Sequence, residues 1–151
     1  MSLTHLHLLL NHYPIIGTII GIALLMFAHL RKSNDVAKVA LGLFAVMGAI
    51  AVVVYLTGES AEDAIENLPG FSESITESHE EFALFATIVL AAFGAISALA
   101  LVVFRRVALP RMVTLGCLAI SLVAGGMMGY TGLMGSQIRH TEIRPGNSAQ
   151  A

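Results

Sequence analysis

Charge is scarce in this sequence. Only 12% of its 151 residues are Asp, Glu, Lys or Arg, against about 25% in a soluble domain. Hydrophobic residues make up 56%, and the mean hydropathy is +0.81. A chain of this length and composition has too little polar surface to cover a core in water, so it belongs to a lipid bilayer. There is one cysteine, Cys117, inside an apolar run. That excludes an intrachain disulfide framework, a cysteine-rich zinc or iron–sulfur site, and haem attached covalently through Cys-x-x-Cys-His. Tryptophan is absent, no basic patch is interleaved with aromatics, and a net charge of −2 offers nucleic acid no footprint. The opening MSLTHLH has no Lys or Arg ahead of the apolar stretch, and no small-residue cleavage site follows it, so a retained helix is expected there rather than a signal peptide. Serine-hydrolase, phosphate-loop and dinucleotide motifs are missing.

Four apolar segments are present instead, at about 8–30, 37–57, 82–104 and 112–134. Each is near the ~20 residues that cross a hydrocarbon core. The expected fold is all-α, an integral membrane four-helix bundle forming one domain over 1–144, followed by a polar tail at 145–151. Arg31, Lys32, Lys38, Arg105, Arg106 and Arg111 fall in or beside the two short loops after the first and third segments. Nine of the ten acidic residues fall on the opposite side, Asp35 being the exception. The positive-inside rule then makes the short loops cytoplasmic and places both termini and the acidic loop outside, as in a multi-pass protein of a bacterial inner membrane.

The two halves are loosely alike. Each has a histidine before or near its first span, a basic turn, and a second span ending in Thr-Gly (Thr57-Gly58, Thr131-Gly132). Gly17 and Gly21, and the series Gly125, Gly126, Gly129, Gly132 and Gly135, permit close helix approach in lipid. They would equally make room for a flat macrocycle.

The six histidines are segregated. His5, His7, His12, His79 and His140 lie on the outer side, and only His29 lies at the inner end of the first span. In "LHLLLNHYPIIG", Pro14 fits the first turn of a helix or a kink. Residues 3–11 then read as a short interfacial segment, with His12 at the corner pointing into the bundle. Polar groups at membrane depth are expensive, which weights His12 toward function. His79 opens the third span in "TESHEEFALFA", with Thr76 the expected N-cap and acids in the first turn. It shares a face with Phe82, Ala83 and Ala86, predicted to look inward. His140 follows the fourth span in "GSQIRHTEIRPG". His5 and His7, two apart, point to different sides of a helix. Glu59 and Glu62 sit at i, i+3 above the second span, and Glu59, directly after Gly58, is expected to turn inward.

This residue set suits three readings. In the first, imidazoles from separate spans ligate a non-covalent haem b, with His12 and His79 as the best pair and His140 as substitute. The protein would then be an electron-transfer subunit rather than an independent enzyme, exchanging electrons with membrane or periplasmic redox proteins or with quinone. In the second, His12, His79, His140, Glu59 and Glu62 hold iron, copper or zinc, although neither Glu-x-x-His pairs nor His-Glu-x-x-His is present. The third is an accessory subunit of a larger membrane complex. Transport finds no mid-span charge and no inverted repeat to support it.

"NHYPIIG", "TGESAEDAIENLPG", "SHEE" and "TGLMGSQIRHTEIR" together resemble a family of small bacterial four-span membrane proteins of undetermined function, marked by a His-aromatic-Pro motif in the first span. The resemblance covers most of 5–144. It implies four spans and singles out His12, His79 and His140, and it implies no activity.

Overall fold

A computed structural model describes residues 2–144, and every regular element among them is helical. The elements are α1 (Leu3–Leu10), α2 (Tyr13–Arg31), α3 (Asn34–Leu56), α4 (Gly58–Asp63), α5 (Glu73–Val103) and α6 (Arg111–Arg139), followed by a single 3-10 turn at Thr141–Ile143. Four helical stretches are long and apolar enough to cross a membrane: Leu3–Arg31, which includes the α1–α2 interruption, Asn34–Leu56, Glu73–Val103 and Arg111–Arg139. All four segments read from hydropathy are therefore helices. They run longer than the apolar runs because polar residues continue α5 and α6 beyond the greasy part at the acidic end. The tail at 145–151 lies outside the described residues.

The long helices form a closed square: α2 packs on α3 and α6, and α5 packs on the same two. Lipid tails are as apolar as leucine, so close packing rather than expulsion from water holds such helices together. Small residues make that contact possible. A Cβ on Gly48 of α3 would fall 2.9 Å from the Leu90 carbonyl oxygen and 3.2 Å from Gly94 Cα, so the α3 and α5 backbones touch. One turn away, the buried rings of Phe44 and Phe93 meet at 4.7 Å, tilted by 54°. Gly21 of α2 yields the space for the Phe44 ring, which a Cβ there would meet at 2.5 Å. Gly125, Gly132 and Gly135 of α6 face side chains of the bundle, whereas a Cβ on Gly126 or Gly129 would meet open space. The glycine series is therefore split between an inner and an outer face.

The connections explain the ends. Lys32 takes the left-handed conformation (φ 53°) that closes α2, and the Ser33 hydroxyl caps α3 through Val36 N–H. The two basic loops are tied together: Asn34 Oδ1 accepts from Leu109 N–H at 2.9 Å, and Lys38 Nζ donates to the Val107 carbonyl at 3.0 Å. At the acidic end, Gly70 (φ 84°) supplies a turn that other residues would strain. Arg144 donates to the Gly70 carbonyl at 2.7 Å and to the carbonyls of Gln137 and Ile138, which fastens the acidic connection to the end of α6.

Candidate functional site: a histidine pair at the acidic end

Pro14 falls in the first turn of α2, as its missing N–H favours, and the helix is interrupted at Asn11–His12, both of which keep right-handed helical dihedrals. The interruption does not aim His12 inward. His12 is exposed, and its Nδ1 is engaged by the Asn11 side chain beside it. Helical phase is the physical reason: His7, Asn11 and Pro14 carry the more buried stripe through this stretch, and His12 falls to its side with exposed Leu8, Ile16 and Ile19. His140 is likewise exposed, at the C-terminal end of α6, where its Nδ1 meets Glu142 at 2.9 Å. Backbone N–H bonding and His140 hold the Glu142 carboxyl below its ordinary range. Glu59 is exposed rather than inward. Among the described residues no three His, Cys, Asp or Glu side chains converge on a point that could hold a metal ion.

His7 is the residue that turns in. In α1, Thr4, Leu6, His7 and Leu10 are the partly buried positions, and His5 is exposed, bonded to Ser2. His7 Nδ1 lies 3.0 Å from the Val54 carbonyl and 3.4 Å from Thr57 Oγ1. A carbonyl only accepts, so Nδ1 carries the proton, and in the neutral ring Nε2 keeps a free lone pair. The Thr57 hydroxyl donates to the carbonyls of Val53 and Val54. Thr4 donates to the Ser60 carbonyl at 2.8 Å. These polar contacts seat α1 on the end of α3 and on α4, since α1 has no buried residue of its own.

His79 comes from α5, on the inward face expected for it with Phe82, Ala83 and buried Ala86. The helix starts earlier than the Thr76 cap would set. Ser72 precedes α5, and Thr76 is buried inside it, donating to the Ser72 carbonyl at 3.1 Å. The His79 ring rests against α6, where a Cβ on Gly135 would fall 3.0 Å from Cε1, and the Thr131 carbonyl is the backbone acceptor at the ring. Its Nδ1 is buried with no hydrogen-bond partner among the described residues. His7 of α1 and His79 of α5 thus both lie at the acidic end of the bundle.

Glu80, next to His79, reaches Glu62 of α4. Burial, followed by a shared hydrogen bond with Glu80 and repulsion from Glu80, Asp63 and Glu66, pushes the Glu62 carboxyl up to about 7. The carboxyl pair therefore holds a proton near neutral pH. The acidic end thus brings together His7, His79, Glu62 and Glu80, of which His79 and Glu62 belong to the set read from sequence. His7 was discoverable from the Thr4–His7–Asn11 spacing, which puts three polar groups on one side of an interfacial helix.

Two cavities stand out elsewhere. One of about 240 Å³ lies at the basic end, and one of about 290 Å³ is a shallow groove of small residues between α3 and α5. Neither is lined by His7 or His79. No family model matches the chain, and no curated protein or solved structure is significantly similar to it.

Proposed function

We propose that this four-helix, membrane-compatible protein is an electron-transfer subunit that holds a non-covalent haem b at its acidic end, with His7 and His79 as the imidazole ligands. The observation that carries this reading is the buried, unpartnered Nδ1 of His79 at the end of the bundle where α1 also brings in His7. Leaving such a nitrogen unsatisfied costs about 1–3 kcal/mol, a cost that ligation would remove. His7 matches the arrangement of a ligating histidine, whose other ring nitrogen donates to a backbone carbonyl that fixes tautomer and orientation. Donor number favours haem over a bare ion. Haem iron needs only two axial groups from the protein, whereas a bare zinc or copper ion asks for three or four, and no such group of three exists among the described residues.

Room for the macrocycle would have to open between α1 and α5 with the His7–Val54 contact kept, since that contact fixes the His7 ring. Charge distribution supports the orientation with the basic loops cytoplasmic and the histidine end outside. There a haem could exchange electrons with an extracytoplasmic carrier or with quinol in the bilayer, and the Glu62–Glu80 pair could take up a proton.

The test is the cofactor content of the purified full-length protein. A Soret band with reduced α and β bands, at about one haem per chain, is the expected result. A colourless protein with one equivalent of copper, zinc or iron would overturn haem in favour of a bare ion on the same histidines. A colourless, metal-free protein would overturn both and leave the accessory-subunit reading.

A further inference from the structure

The basic end carries a second site, independent of the histidine pair. Its cavity of about 240 Å³ is lined by His29 and Lys32 at the end of α2, Ser33, Asn34 and Ala37 at the start of α3, and Ala108, Leu109, Arg111 and Thr114 around the start of α6. Two permanent cations and an imidazole thus border one cavity, and no carboxylate lines it; Asp35, the one acid at this end, is exposed and outside the lining. Helices α3 and α6 both begin at this cavity and α2 ends there, so two positive helix-dipole ends border it against one negative end. Thr114 is only 8% exposed and belongs to this lining. The walls are fixed before any ligand arrives, because Asn34–Leu109 and Lys38–Val107 tie the two loops that form them.

We infer that this cavity binds a phosphate-bearing anion. Its place at the membrane boundary, between helices whose outer surfaces are apolar, matches basic pockets that hold anionic phospholipid headgroups. A soluble phosphate would use the same donors, so the experiment separates the two sources. Native mass spectrometry of the full chain in detergent measures binding of phosphatidylglycerol against phosphatidylcholine with identical acyl chains, and, in a second arm, of inorganic phosphate. Wild-type protein should prefer phosphatidylglycerol, and the double variant Lys32→Gln/Arg111→Gln should weaken that binding roughly thirty-fold. The matched double variant Arg105→Gln/Arg106→Gln removes the same charge from exposed positions outside the lining and should bind as wild type does. Circular dichroism checks that both variants stay helical. Loss of inorganic phosphate binding in the first variant alone, with no lipid preference, would support the site and assign it to a soluble ligand. Equal effects of the two double variants, or no phosphate-dependent binding in either arm, would overturn the inference.

Discussion

His7 in the first half of the chain and His79 in the second occupy corresponding places. Each precedes or opens the first span of its half, and each lies against the end of the second: His7 at Thr57 and Gly58, His79 near Thr131 and, beyond the Thr131-Gly132 pair, at Gly135. Their surroundings differ in the features that matter for chemistry. The Nδ1 of His7 is bonded to a carbonyl at 3.0 Å, and a Cβ on Gly58 would stay 3.9 Å from its ring. The Nδ1 of His79 is buried and unpartnered, and a Cβ on Gly135 would press on its ring at 3.0 Å. Similar local architecture has been used once as a polar latch with one nitrogen to spare, and once as a tightly packed ring with a nitrogen left open. Among the described residues only Thr18 Oγ1 and Ser97 Oγ share this state of being buried without a partner.

The glycines give the sharpest way to break this comparison. If His79 holds haem as proposed, Gly135→Val pushes a branched side chain into its ring and should lower haem retention about 10- to 100-fold, the range seen when the surroundings of a metal ligand are disturbed. Gly58→Ala should leave retention unchanged, because its new methyl group meets His7 at ordinary van der Waals distance. Haem-to-protein ratio after purification measures both. Equal losses in the two variants would erase the difference between the halves.

Leucine substitutions separate the roles next. His7→Leu removes the hydrogen bond that seats α1 and should cost about 1 kcal/mol of local stability, seen as faster amide exchange across Leu3–Leu10. His79→Leu in the cofactor-free protein should cost less than His7→Leu, since along with the ring's contact to the Thr131 carbonyl it removes a buried nitrogen that has no partner. A thermal melt lowered as far by the second substitution as by the first would show that the two rings carry equal structural weight.

The smallest expected effect is on pH. The Glu62 carboxyl is raised in the folded protein to about 7, from an ordinary 4.5. Folding therefore favours its protonated form, and the resulting stabilisation is complete below about pH 4.5 and is lost as pH rises through about 7. Glu62 is half-buried and partly screened, so the effect is confined to the seating of α4. Amide exchange in Gly58–Asp63, corrected for its intrinsic pH dependence, should accelerate over that interval, and Glu62→Gln should flatten the profile.

Much of this architecture was legible from residue order. Spans follow from uninterrupted apolar length, and the inward face of His79 follows from its three- and four-residue spacing to Phe82, Ala83 and Ala86. The place of Pro14 follows from its missing N–H. His12 was misread because hydropathy marks depth and says nothing of direction, and helical phase puts Asn11 and Pro14, not His12, on the more buried stripe. Glu59 was misread for a similar reason: adjacency to Gly58 did not decide its facing, whereas contact with Glu80 on another helix, invisible in local sequence, drew Glu62 in. The pairing of His7 with His79 depends on packing between α1, α3, α5 and α6, which no single-helix pattern encodes.

The most direct test compares absorption spectra of four proteins purified side by side: wild type, His7→Ala, His79→Ala and His12→Ala. The account predicts a Soret band in wild type and His12→Ala, and its loss in both His7→Ala and His79→Ala. A band that survives in His79→Ala, or that disappears only in His12→Ala, would contradict it.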